Sequence, residues 1–202
     1  MYIPKLYLLE DRQEIFAFLR ANNFPALVSF DGQRPLATHV PVEIEEAENG
    51  VWTVYGHLAK ANPQWKTFNN QEVLLIFQGP HTYISPRWYK HVNVPTWNYM
   101  LVHLYGKVRF LEGDAFHTLL SKLVSKHETG TGYSLEGLPT DFVQNQMRGI
   151  VGIAVDVSTV EASFKLSQNR DQEDHAGIIQ ELEKRADGDS RKIARRMKQN
   201  RG

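Results

Sequence analysis

The apolar residues of this chain come in strand-sized runs, and that limits what it can build. "VLLIF" (Val73 to Phe77) is among the longest uninterrupted ones, far short of the roughly 18 residues a membrane-crossing helix needs. "ALVSF", "LATHVPVEI", "VWTVY" and "WNYMLVHLYGKVRFL" add segments rich in β-branched and aromatic residues, with the turn-forming stretches "DGQRP" and "EEAENG" between the early ones. The unbroken "VLLIF" is expected to be buried on both faces. Helical spacing shows in "DRQEIFAFLRANN", "DAFHTLLSKLVSKHE" and "TDFVQNQMR", and again from Asp171 to Asn200 with an interruption at Gly188. Pro63 in "NPQWKTF" suits a helix start, where its missing N–H costs nothing. "GPHTYISPRWYKHVNVPTW" holds three prolines and is expected to be a loop. Antiparallel strands with helical insertions predict a mainly β, α+β fold, and a barrel rather than a doubly wound sheet.

A chain of 202 residues fits one domain with an appendage, here 1–170 followed by a helical, basic extension at 171–202. The absence of cysteine excludes disulfides and thiolate chemistry. The N-terminus has no charged-then-apolar secretory pattern, so a soluble, cytoplasmic protein without a membrane segment is expected. The total of 23 basic and 23 acidic residues hides an asymmetry. From Lys184 to Arg201 eight basic residues stand against two acidic ones, which leaves 15 basic and 21 acidic residues in the rest. An acidic body with a basic tail points the tail towards an anionic partner.

Several catalytic signatures are absent. Gly130, Gly132 and Gly137 have the wrong spacing for a dinucleotide loop and follow a helix rather than a strand. "HETGT" lacks the second histidine of a metalloprotease helix, and the eight histidines show no close ligand spacing, so no metal site is expected. No Gly-x-Ser-x-Gly motif presents a nucleophile.

Four polar clusters fall where strands meet loops: "THVP" (38–41), "GHLAKANPQW" (56–65), "VPTWNY" (94–99) and "FKLSQNR" (164–170). They offer Lys60 and Arg170 as cations and His39 and His57 as switchable donors. Thr38, Asn62, Asn98, Ser167, Gln168 and Asn169 add neutral partners, and Trp97 and Tyr99 add flat apolar surfaces. A cation for a phosphate, amides for a ring edge and aromatics for a ring face suit a planar, anionic ligand such as FMN. The competing view is that these groups only tie loops down.

With these clusters and "MYIP", "ATHVPV", "YISPRWY" and "LVHLYGKV" in order along nearly the whole chain, the sequence resembles the PaiB family of FMN-binding negative transcriptional regulators. Arg87, before the Trp-Tyr pair, departs from the small residue expected there. The resemblance implies a split β-barrel of the pyridoxamine-phosphate-oxidase-like type over 1–170, assembled as a homodimer with cofactor sites at the subunit interface. It implies negative control of sporulation and of degradative, extracellular protease genes. Lys60 would meet the FMN phosphate, supported by His57 and Asn62 and by Thr38 and His39 from the neighbouring strand. The "WNY" and "SQNR" residues would line the ring side or serve the partner's site. The alternative is an enzyme of the same fold, a flavin-dependent oxidoreductase or a haem-handling protein. Beyond the resemblance, the basic tail offers Arg191, Lys192, Arg195, Arg196 and Lys198 for phosphate contacts with DNA, with Ile193 and Met197 as a narrow apolar stripe to dock it on the body. The competing readings are a solvated end or one bound to the acidic body of its own dimer.

Overall fold

The computed structural model describes residues 1–69 and 71–200; the tail cation Arg201 lies outside them. The chain divides into two units. A central unit holds Leu19–Phe77 and His103–Val160, and a terminal unit holds Met1–Phe18, Gln78–Val102 and the chain from Glu161 onward.

Seven strands form among the described residues: β1 (Ala26–Phe30), β2 (Pro35–His39), β3 (Val42–Glu46), β4 (Trp52–Ala59), β5 (Glu72–Ile84), β6 (Thr96–Leu111) and β7 (Ile150–Lys165). They make one sheet in the order β2-β1-β5-β6-β7-β4-β3. The β1–β2, β1–β5, β3–β4 and β4–β7 ladders are antiparallel. The expected split β-barrel is therefore corrected to an open sheet, because β2 and β3 are its two edges and no ladder joins them.

The reason lies at Val40-Pro41. "LATHVPVEI" is not one strand but two, broken where Pro41 has no N–H to give a ladder. The N–H groups of Val40 and Val42 turn instead to the carbonyls of Pro25 (3.1 Å) and Asn23 (2.9 Å). Three Cα steps separate His39 from Val42, so the edges approach within about 11 Å at that corner without pairing.

Other expectations are also refined. β4 runs on through Gly56, His57 and Leu58, so the histidine of "GHLAKANPQW" sits on a strand and the turn begins at Lys60. β5 continues to Ile84 through residues expected to be a loop. Its rungs with β1 end at Ile76, and Pro80 lies beyond them. "VLLIF" alternates instead of burying both faces: Val73, Leu75 and Phe77 are buried, Leu74 and Ile76 only half so.

The described residues also form α1 (Arg12–Ala21), α2 (Gly113–His127), α3 (Thr140–Arg148), α4 (Gln172–Glu183) and α5 (Gly188–Gln199), with short 3₁₀ turns. In the central unit, Leu111, Phe116, Leu119, Leu123 and Ala154 form a core, with Tyr55, Leu120, Met147 and Ile150 packed against it. Gly152 lies beneath the Phe116 ring, where a Cβ would stand 2.5 Å from Cδ2. In the terminal unit, Asp171 and Asp187 cap α4 and α5 by accepting from the amides of Asp174 (2.8 Å) and Ser190 (2.7 Å). The expected apolar stripe of the tail is present and wider than predicted, for Ile193, Ala194 and Met197 are fully buried, as are Ile178 and Leu182 of α4. Among the described residues no helix is long and apolar enough to cross a membrane.

Candidate functional site

The turn after β4 is built around a buried amide. A short 3₁₀ helix, Pro63–Thr67, starts with Asn62 as its cap, whose Oδ1 accepts from the Gln64 amide at 3.0 Å. The Asn62 Nδ2 donates to Thr38 Oγ1 (2.9 Å), and that hydroxyl donates to Gln64 Oε1 (2.5 Å). The Gln64 side chain, 2% exposed, donates to the carbonyls of Leu27 (2.9 Å) and Leu36 (3.3 Å). Thr38 and Asn62 are thus brought together, and their polar atoms brace the turn against β1 and β2. His39 is exposed and stacks on Phe24, with ring centroids 5.9 Å apart; strand alternation sends it to the side away from Thr38.

His57 stands opposite Gly152 in the β4–β7 ladder. Its neighbour on the same face, Tyr55, packs against the α2 cluster, so this face of β4 lies under α2. The imidazole is half-buried, its Nδ1 has no hydrogen-bond partner among the described residues, and burial pushes its pKa below the ordinary value.

Lys60 is the turn residue whose charge is left over. Its N–H donates to Gly149 O (2.8 Å) and its carbonyl accepts from Trp65 Nε1 (3.0 Å). Its exposed ammonium makes no ion pair among the described residues. It lines a cleft of about 570 Å³ whose walls are Trp65 and Phe110, packed edge to face at 6.1 Å. Apolar residues of the β6–α2 corner, α3 and β7 line it further, with Gln144, Arg148 and Glu112 as its other polar side chains. Glu112 caps α2 without a side-chain bond. The sequence reading did not single out Trp65, Phe110, Gln64 or Arg148. Trp65 and Gln64 stood inside the motif around Lys60, whereas Phe110 and Arg148 are remote in sequence and carried no local signal.

The second group of expected site residues lies in the terminal unit. Asn98 is fully buried and its Nδ2 donates to Ser167 Oγ (3.0 Å). Gln168 folds back, donating to the Phe164 carbonyl (2.5 Å) and accepting from the Leu166 amide (2.7 Å). The Arg170 guanidinium lies 4.7 Å from the Tyr89 ring centroid. Asn169 is exposed and Tyr99 half-buried. Trp97 is 51% exposed and meets His81 and Tyr83, each at 6.1 Å between centroids.

A family model described as "Putative FMN-binding domain" matches residues 1–159. "Protease synthase and sporulation protein PAI 2" of Bacillus subtilis (strain 168) is 36% identical over 200 residues, spanning 98% of this chain and 96% of the relative. The chain belongs to the PaiB family. Solved structures extend the likeness of this PaiB-family chain at the level of fold. The flavocytochrome Anf3 from Azotobacter vinelandii has a TM-score of 0.66 at 16% identity, over 87% of this chain and 78% of that one. The FAD and heme binding protein from Mycobacterium smegmatis has 0.64 at 10% identity, over 84% and 78%.

Proposed function

We propose that this chain is an FMN-binding transcriptional regulator acting on sporulation and degradative genes, with Lys60 holding the FMN phosphate. Family membership supports the regulatory class, through a relative named for protease synthesis and sporulation. The observation that carries the cofactor assignment is Lys60 itself, an ammonium without an ion-pair partner among the described residues, on an aromatic-walled cleft. The cleft volume lies in the range of small-molecule sites, about 300 to 1,000 Å³. Its donor set suits a phosphorylated amphipathic ligand: a cation for the dianion, and aromatic and apolar walls for a less polar portion. The Gln64–Thr38–Asn62 network, anchored on the buried Gln64, keeps the turn fixed, so little ordering is left to be done when the ligand binds. Bound flavin would supply redox or sensing chemistry; the chain's own part is to bind and orient it.

The regulator works as a homodimer and reaches DNA through the exposed cations of α5. In support of assembly, Trp97, His81 and Tyr83 form an exposed aromatic cluster in the terminal unit. Sedimentation at micromolar concentration tests this, a stable folded monomer being the adverse result.

The test of the cofactor assignment is a flavin titration with the full chain. One charge-assisted hydrogen bond is worth about 1.5 to 3 kcal/mol, so Lys60→Ala should weaken FMN binding by one to two orders of magnitude. Riboflavin, without the phosphate, should bind weakly to both forms. Equal affinity of the native protein for FMN and riboflavin would overturn the assignment.

A further inference from the structure

Arg148 has no place in the reading above, yet it shares the cleft with Lys60. The two cations spring from adjoining points of backbone, because the Lys60 N–H bonds the carbonyl of Gly149, the residue after Arg148. Arg148 is exposed, and its side chain donates to Asn145 Oδ1 at 3.2 Å. It forms no ion pair among the described residues. A cation in the last turn of α3 is explained by the helix dipole. A second cation at the same cleft, with Glu112 as the only carboxylate lining it among the described residues, is not.

Two like charges directed into one concavity repel each other and raise the local potential for an anion. Three neighbouring surface cations are paired instead. Lys122 and Lys126 are paired with Glu45 and Glu43, and Arg109 with Asp156. Lys66 also makes no ion pair among the described residues, but it is placed over the Trp65 ring at 5.7 Å and does not line the cleft.

We infer that Arg148 is a second phosphate-binding residue, so that Lys60 and Arg148 together make the cleft selective for a phosphomonoester dianion over neutral or singly charged analogues. The inference rests on the reading that a flavin phosphate lies at Lys60. A planar guanidinium can donate two parallel N–H bonds to phosphate oxygens while the lysine contributes a compact charge. Glu112 opposes the same anion from the cleft edge.

The experiment titrates the full chain with FMN and with riboflavin, following flavin fluorescence, in the native protein and in Arg148→Gln, Arg148→Lys, Lys60→Gln and Glu112→Gln. Arg148→Gln should lose about tenfold in FMN affinity with riboflavin unchanged. Arg148→Lys should recover most of the loss, and Glu112→Gln should bind FMN more tightly than native. The double variant Lys60→Gln/Arg148→Gln should bind the two flavins alike. Unchanged thermal melting of Arg148→Gln without ligand separates ligand contact from helix closure. If the native protein prefers FMN to riboflavin, Lys60→Gln abolishes the preference and Arg148→Gln leaves it intact, this inference fails while the Lys60 reading stands. A native protein that does not distinguish the two flavins, or binds neither, overturns both.

Discussion

Asn98 and Ser167 hold each other in the interior: the Asn98 Nδ2 donates to Ser167 Oγ at 3.0 Å, and that hydroxyl is 3.2 Å from Asn98 Oδ1. Ser167 has φ of 60°, the single non-glycine residue with positive φ among those described. The bond therefore fixes a left-handed residue at the turn that follows β7. Ser167→Ala loses the bond and keeps the strain, whereas Ser167→Gly loses the bond and relieves it. The glycine variant should be the more stable of the two by about 1 kcal/mol. Urea unfolding of both variants checks this; equal midpoints would remove strain from the account.

Gln64 is the hub that fixes the Lys60 turn. Replacing it with Leu fills the space but strands the carbonyls of Leu27 and Leu36 and a Thr38 hydroxyl bond. Unsatisfied buried groups cost about 1 to 3 kcal/mol each, so a loss of about 3 kcal/mol is expected in denaturant unfolding. A loss below about 1 kcal/mol would mean that the network does not hold the turn.

The elements were legible where the signal was local. "ALVSF" and "TDFVQNQMR" announce their own periodicity, and Asn62-Pro63 announces a cap. The failures have a common cause in distant partners. Whether β2 and β3 would pair depended on where Val40 and Val42 sent their amides, some seventeen residues back along the chain. Gly79-Pro80 looked like a loop because nothing local shows that the β1 rungs have already stopped at Ile76. At the site, Lys60 was visible as a cation at a strand end. Its cleft was not, since Phe110 and Arg148 reach it only through β6 and α3.

His57 makes stability depend on pH. Burial pushes its imidazole below the ordinary value of 6.5, so between the folded value and 6.5 the unfolded chain binds the extra proton. Stability rises with pH wherever the unfolded state holds more protons. The stability is thus fully present above about 7, where both states are neutral, and is lost as pH falls through 6.5 towards the folded value. Native protein should lose more stability between pH 7.5 and 5.5 than His57→Gln, in which the other titrating groups remain. Parallel losses in the two proteins would place the pH response elsewhere.

The packing of α5 decides which variant can test the proposed DNA contact. The sequence suggested five phosphate-binding cations on a tail docked by a narrow apolar stripe. Arg196, however, is half-buried and paired with Glu14, and Lys198 pairs with Glu183 at 2.6 Å. Arg191, Lys192 and Arg195 remain exposed, although Lys192 has Asp189 at 3.8 Å and Arg191 donates to the Arg185 carbonyl. Deleting the helix would strip Ile193, Ala194 and Met197 from the interior and leave Ile178 and Leu182 without cover. Loss of DNA retention in such a truncation would then report unfolding, not contact. The informative variant replaces Arg191, Lys192 and Arg195 with Gln and leaves the buried face intact. Counterion release gives a slope of about −0.9 in log K against log salt for each phosphate neutralised. If α5 touches DNA, the triple variant should melt like native protein, and its slope should be shallower by about 2 to 3 units. An unchanged slope, with binding as tight as native at every salt concentration, would exclude these three side chains from the contact.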